Sequence, residues 1–151
     1  MRLSQILSPS RIGIPLKARD KAGVLRELVG LVVPEGGQPV EEVLGAILER
    51  ERQFPTGIGY GVAVPHAKTP ALSALGAAAG LTAGPVAYET MDGEPVRIFF
   101  LVAGPEGQAG EHVKALGRIS RLVRQEPVRA RLLGSRTPEE FYRVLCEAEG
   151  A

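Results

Sequence analysis

The stretch Thr56-Gly57-Ile58-Gly59-Tyr60-Gly61-Val62-Ala63-Val64-Pro65-His66 ends in the one side-chain type whose ordinary pKa lets it act as nucleophile, base or ligand at neutral pH. Three glycines at alternate positions let the backbone reach φ > 0 and approach another group closely, at an entropic cost. Val62, Ala63 and Val64 make an apolar run suited to a short buried strand, and Pro65 removes a donor and stops its ladder. The pattern predicts a glycine loop, a short strand, and an imidazole held on a rigid support at the strand's end. The GxGxG spacing is not a dinucleotide fingerprint, and no Gly-Lys-Ser/Thr is present to make a Walker loop.

The chain has one other histidine, His112, which follows a strand and the segment Gly104 to Gly110 and sits at the expected start of a helix. A helix N-terminus carries unsatisfied amides and the positive end of a dipole, so it favours anions. Arg50 lies at the end of another expected helix, just before the glycine loop. Two histidines, an arginine, a glycine-rich loop and a helix start converging on one cleft would suit phosphoryl handling. Each also has a plain structural reading: His66 as a packed or surface histidine, Arg50 as a helix-end ion-pair partner, His112 as an ordinary helix residue.

These residues need a scaffold, and its elements are legible. Ile12, Ile14 and Leu16 alternate with Gly13 and Pro15, which predicts a first strand at a sheet edge. Asp20 is a cap candidate for a helix whose Ala22, Leu25, Leu28, Val29 and Val32 share a face, with Pro34-Glu35-Gly36-Gly37 ending it. A second helix carries Val40, Val43, Leu44, Ile47 and Leu48, with Glu41, Glu42, Glu49, Arg50, Glu51 and Arg52 placed off that stripe. Gly76 to Leu81 and Pro85 to Tyr88 are expected as two separate strands, and Val96 to Ala103 as a central strand buried on both faces. Val113, Leu116, Ile119, Leu122 and Val123 mark a helix beginning near Glu111-His112, and Pro127 opens a short one through Leu133. Thr137-Pro138-Glu139-Glu140 is a helix start, and Phe141, Val144, Leu145 and Ala148 give that last helix its apolar face. The expectation is one α/β domain over residues 1–151, a mixed sheet of about five strands with helices on both sides.

Composition narrows the classes. Hydrophobic content of 44% with 23% charged residues is that of a globular chain. A net charge of +1 supplies no electrostatic argument for nucleic acid or an anionic membrane. The arginines between 118 and 136 alternate with apolar residues at helical spacing, as on a solvated helix face. A single cysteine, Cys146, allows neither an internal disulfide nor a cysteine cage for a metal. No apolar run approaches the length of a membrane span, and the N-terminus lacks a signal-peptide core, so the expected compartment is the cytoplasm.

Taken together, Arg50-Glu51, Thr56-Gly57-Ile58-Gly59, Gly61-Val62-Ala63-Val64-Pro65-His66, Lys68, Thr69, the block Asp92 to Val102 and His112-Val113-Lys114-Ala115-Leu116 closely resemble a known family. It is the IIA component of the bacterial sugar phosphotransferase system, fructose/mannitol type, a class that includes nitrogen-regulatory IIA proteins. The resemblance covers almost the whole chain. It departs at Pro55, where the family often has Ser, and at Ala67, where it often has Gly; neither removes a group the chemistry requires.

Carried over by position, the resemblance implies that His66 accepts a phosphoryl group from the histidine-containing phosphocarrier protein and passes it to a cysteine on a separate IIB component. His112 would hydrogen-bond the phosphoryl oxygens, Arg50 would offset their charge, and Thr56 and Gly57 would belong to the phosphate-binding loop. At a pKa of about 6.5, roughly three quarters of such an imidazole is neutral at pH 7. A guanidinium about 4 Å from the phosphoryl is worth on the order of 4 kcal/mol at an effective dielectric near 20, before desolvation. Neither metal nor cofactor is implied. The alternative within the family is a nitrogen-type regulator, in which phosphorylation of His66 controls protein partners without sugar transport. A metal site built on the two histidines is a third reading, but structural zinc sites want four ligands.

Overall fold

The run Val96 to Gly104 organises the sheet, because its side chains are buried on both faces and must be covered twice. The computed structural model describes residues 1–33 and 39–150. Among these residues the elements are α1 (Leu3–Ile6), β1 (Ile12–Leu16), α2 (Lys21–Val32), α3 (Val40–Gln53), β2 (Gly57–Gly59), β3 (Val62–Ala63), β4 (His66–Lys68), β5 (Gly76–Val86), β6 (Val96–Gly104), α4 (Ala109–Val123), α5 (Glu126–Leu133) and α6 (Pro138–Gly150). The strands form one mixed sheet in the order β1-β5-β6-β3-β2, with β4 also paired to β6.

Residues along β6 alternate between the two layers, as strand geometry requires. Phe99, Leu101 and Ala103 pack with Leu25, Leu28, Val29, Val43 and Ile47 of α2 and α3. Ile98, Phe100 and Val102 pack with Ile119, Leu132, Phe141 and Leu145 of α4, α5 and α6. The α/β class with helices on both sides is therefore as the sequence indicates, and so are the edge position of β1 and the central position of β6. Asp20 accepts a hydrogen bond from the Gly23 amide at 2.8 Å and caps α2. The Thr137 hydroxyl accepts from the Glu140 amide at 3.1 Å at the start of α6.

Several boundaries differ from expectation, each for a physical reason. The sheet has six strands because Pro65 divides one segment into β3 and β4, both parallel to β6. Pro65 lacks a donor but its carbonyl still accepts from the Val102 amide at 3.0 Å, so the ladder crosses it. His66 consequently opens β4, in register with Val102, instead of ending a strand. Part of the glycine loop is itself the antiparallel pair β2–β3. The expected strands at 76–81 and 85–88 merge into β5, with Pro85 accommodated where the register with β6 shifts between Leu81 and Val86. The helix α4 begins at Ala109 after a 3-10 turn over Glu106–Gln108, which places His112 inside its first turn and not at its start. The four-residue α1 is too short to show a period; Glu149 of α6 holds it by accepting from the Leu3 and Ser4 amides at 2.6 and 3.0 Å. The expected helix end at Pro34 to Gly37 lies outside the described residues.

The α2 cap carries a direct test. Asp20→Ala removes the bond to the Gly23 amide and is expected to lower unfolding stability by about 1 kcal/mol, with Asp20→Asn retaining most of it. Urea unfolding followed by circular dichroism measures the difference.

Candidate functional site

His66 is half-buried at the first position of β4, and its Nδ1 lies 2.8 Å from the Val64 carbonyl oxygen. A carbonyl can only accept, so Nδ1 carries the proton and Nε2 keeps a free lone pair. Burial is the main influence on this imidazole and pushes its pKa below 6.5. The Val64 carbonyl opposes that shift, Arg50 and His112 reinforce it, and Glu51 opposes it. The ring is thus held neutral at physiological pH with Nε2 unprotonated.

A cavity of about 600 Å³ opens in front of it, lined by Arg50, His66, Lys68, His112, Val113 and Leu116 among others. A second cavity of about 260 Å³ shares Arg50, His66 and Leu116 and reaches Thr56, Ile58 and Ser120. Arg50 comes from the last turn of α3, where its Nη1 donates to the Phe54 carbonyl at 2.7 Å. That bond ties the guanidinium to the end of its own helix, and its other donors make no hydrogen bond among the described residues. Lys68 stands two residues from His66 on β4, so both project to the same side of the strand. The fold therefore brings together His66, His112 and Arg50, which lie far apart in the chain.

His112 is only 3% exposed, and its Nε2 has no hydrogen-bond partner among the described residues. Burial pushes its pKa down; the carbonyls of Pro105 and Gly104 act in the opposite sense, and Lys68 lowers it further. An orphaned polar atom of this kind costs free energy unless something binds it. It sits in the wall of the cavity that His66 faces. Two strongly exposed apolar side chains, Phe54 and Val113 at 70% each, stand beside Arg50 and His112.

Thr56 and Gly57 occupy the same region but are engaged with the protein itself. The Thr56 amide donates to the Glu51 carboxylate at 3.2 and 3.3 Å, and its hydroxyl donates to Glu51 Oε1. Gly57 has no room for a side chain, since a Cβ there would lie 2.5 Å from the Glu89 carbonyl oxygen. Beyond it, Gly59, Tyr60 and Gly61 all adopt positive φ (92°, 60° and 74°), which closes the β2–β3 turn.

Glu51 is the residue the sequence reading misplaced. It was expected off the apolar stripe of α3, yet it is buried, 3% exposed. Its carboxylate also accepts from the Tyr88 hydroxyl at 2.7 Å and pairs with Lys21 Nζ at 2.9 Å, and Lys21 lies 4.4 Å from the centre of the Tyr88 ring. Burial keeps the Tyr88 hydroxyl protonated, so it remains a donor. The signal was present: Glu51 follows Ile47 by four positions, on the stripe and not off it. Lys21 and Tyr88 had no comparable mark, because their partnership exists only across elements.

Chemically, the site offers a neutral imidazole with a free Nε2, a guanidinium and an ammonium beside it, and a second imidazole with an unpartnered nitrogen. Among the described residues no group of three or more His, Cys, Asp or Glu is gathered to hold a metal ion. No described helix is long and apolar enough to cross a membrane.

Comparison with known proteins shows the family of this chain. The family described as "Phosphoenolpyruvate-dependent sugar phosphotransferase system, EIIA 2" matches residues 5–148. A nitrogen regulatory protein of Bradyrhizobium diazoefficiens is 37% identical over 146 residues, covering 97% of this chain and 95% of that one. The fructose-specific EIIA component of Haloferax volcanii is 33% identical over 146 residues, covering 96% and 95%. The crystal structure of the nitrogen regulatory protein IIA-Ntr of Neisseria meningitidis superposes with a TM-score of 0.88 at 28% identity, covering 95% of this chain and 98% of that one. With its site built on the same positions that carried the resemblance, the chain belongs to the EIIA type 2 family of the phosphoenolpyruvate-dependent sugar phosphotransferase system.

Proposed function

We propose that His66 is the phosphoryl acceptor of this chain and that Nε2 is the accepting atom. The carrying observation is the bond from Nδ1 to the Val64 carbonyl, which leaves Nε2 as the unprotonated nitrogen. The Nε2 lone pair attacks phosphorus of the phosphohistidine on the phosphocarrier protein. As the new N–P bond forms, the donor's N–P bond breaks and its electron pair returns to the donor imidazole. His66 keeps its Nδ1 proton throughout, and the Val64 carbonyl stabilises the positive charge the ring acquires.

Arg50 offsets the phosphoryl charge, and the orphaned Nε2 of His112 marks that residue as the partner for the phosphoryl oxygens. For His112 to donate there while its other nitrogen donates to the Pro105 and Gly104 carbonyls, its ring must be doubly protonated, which burial opposes and the charge of an entering phosphoryl group favours. Thr56 acts by lining the smaller cavity, since both its hydrogen-bond donors are committed to Glu51, and Gly57 acts by letting the loop pack closely against Glu89 and Thr90. Positioned cations and donors of this kind supply most of the catalysis in phosphoryl transfer. No metal or cofactor takes part.

From His66 the group passes to the cysteine of a separate IIB component in a cytoplasmic sugar-uptake relay. A second reading is supported by the likeness to nitrogen regulatory proteins: the phosphorylation state of His66 would control a regulatory target protein, with no sugar moved. Both use the same chemistry at His66 and differ in what reads it.

Incubation with phosphoenolpyruvate, the first enzyme of the relay and the phosphocarrier protein should add one acid-labile phosphoryl group, seen by intact mass. His66→Ala should abolish the gain, while Arg50→Ala and His112→Ala should slow it by on the order of a hundredfold. A wild type that stays unlabelled beside a competent relay would overturn the reading.

The rate of acceptance should also depend on pH in a defined direction. Because the folded protein holds His66 below 6.5, the fraction competent to attack is lost only as pH falls through that lowered value. Arg50→Ala removes a cation that disfavours protonation, so its acid limb should move to higher pH. Initial rates of labelling across a pH series measure both shifts.

A further inference from the structure

We propose that Glu51 is a positioning residue for His66, acting through Thr56 and Val64 to hold the imidazole with its Nδ1 protonated and its Nε2 free. The proposal rests on the reading of His66 as the phosphoryl acceptor and names what prepares it.

The geometry is a series of hydrogen bonds from a buried carboxylate to the imidazole. Glu51 accepts from the amide and the hydroxyl of Thr56. The Thr56 carbonyl accepts from the Val64 amide at 3.0 Å. The Val64 carbonyl in turn lies 2.8 Å from His66 Nδ1. Each bond holds a residue whose carbonyl, on its other side, makes the next, so the lone pair presented to Nδ1 is aimed by a group three links away. Arg50 is the chain neighbour of Glu51, and the same anchor holds the last turn of α3 that carries it.

The choice of a carboxylate is otherwise hard to explain. An apolar residue would complete the buried stripe of α3 without the desolvation a buried charge incurs. Glu51 is retained with a full set of partners: Lys21 at 2.9 Å, the Tyr88 hydroxyl at 2.7 Å and both donors of Thr56. Lys21 also reaches Glu89 at 3.6 Å, which ties in the segment after β5. Only an acceptor with several lone pairs can take this many donors at once. Glutamine cannot, because half of its head group donates.

The test is long-range ¹H–¹⁵N NMR on the full labelled chain, above the imidazole pKa, together with transfer kinetics from the phosphocarrier protein. Wild type should show His66 in the Nδ1–H form. Glu51→Gln should populate the Nε2–H form measurably and lower the maximal transfer rate by on the order of ten- to a hundredfold, with the concentration dependence little changed. Thr56→Val, which keeps the amide and loses the hydroxyl, should move the tautomer in the same direction but less. Thr56→Ser should restore it. Tyr88→Phe removes a donor to Glu51 and a 3.1 Å contact with the Thr56 hydroxyl but leaves the Thr56 amide bond and both backbone links intact, so it should leave the tautomer in place.

A folded Glu51→Gln protein with an unshifted tautomer and unchanged rate would overturn the proposal. So would a Tyr88→Phe shift as large as that of Glu51→Gln, since the effect would then come from disturbed packing. If Glu51→Gln does not fold, the Thr56→Val and Thr56→Ser pair decides the question. A wild type that accepts no phosphoryl would remove the acceptor reading alone, because the tautomer comparison still tests the link from Glu51 to His66.

Discussion

A strand that is apolar on both faces can exist in water only when covered on both sides, and β6 imposes this constraint on the rest of the chain. Phe99 and Leu101 require the α2–α3 layer, and Phe100 and Val102 require the α4–α6 layer. The site is a by-product of meeting both demands at one end of the strand. Val102 sets the register of His66 on β4, and the chain leaving β6 at Gly104 runs through a short turn into the helix that carries His112. Arg50 arrives from the opposite layer, at the end of α3. Three side chains from three elements meet because each element is anchored to the same strand or its cover.

The electrostatics of the site follow from what is buried and what is left open. His66 is kept neutral chiefly by burial, with the Arg50 guanidinium acting in the same direction. An anion entering the cavity meets Arg50 and Lys68, and beside them a histidine whose Nε2 lacks a partner in the protein. The buried carboxylate of Glu51 nearby is turned away from that role by its bonds to Lys21, Tyr88 and Thr56. A negative charge that is fully engaged can stand close to an anion site without emptying it.

The exposed apolar side chains at the rim, Phe54 and Val113, suit contact with another protein surface more than with a small molecule. That fits a family whose members exchange a phosphoryl group between proteins. It also explains why transport and regulatory relatives are both similar to this chain.

The sequence by itself determined the fold class and the five longer helices, because these rest on local properties. Periodicity marks α2, α3 and α4, an apolar run marks β6, and the family resemblance singles out His66, His112 and Arg50 as candidates. The tertiary structure decided what depends on who meets whom across elements. Pro65 could not be seen to let the ladder through, since its carbonyl partner, the Val102 amide, is remote in sequence. Pro85 was accommodated by a register shift that only pairing reveals. Thr56, a member of the glycine loop, donates to Glu51, and Glu51, expected off the apolar stripe of α3, is a buried anchor. Propensity and pattern are properties of a segment, but a hydrogen bond has two ends, and the second end is supplied by the fold.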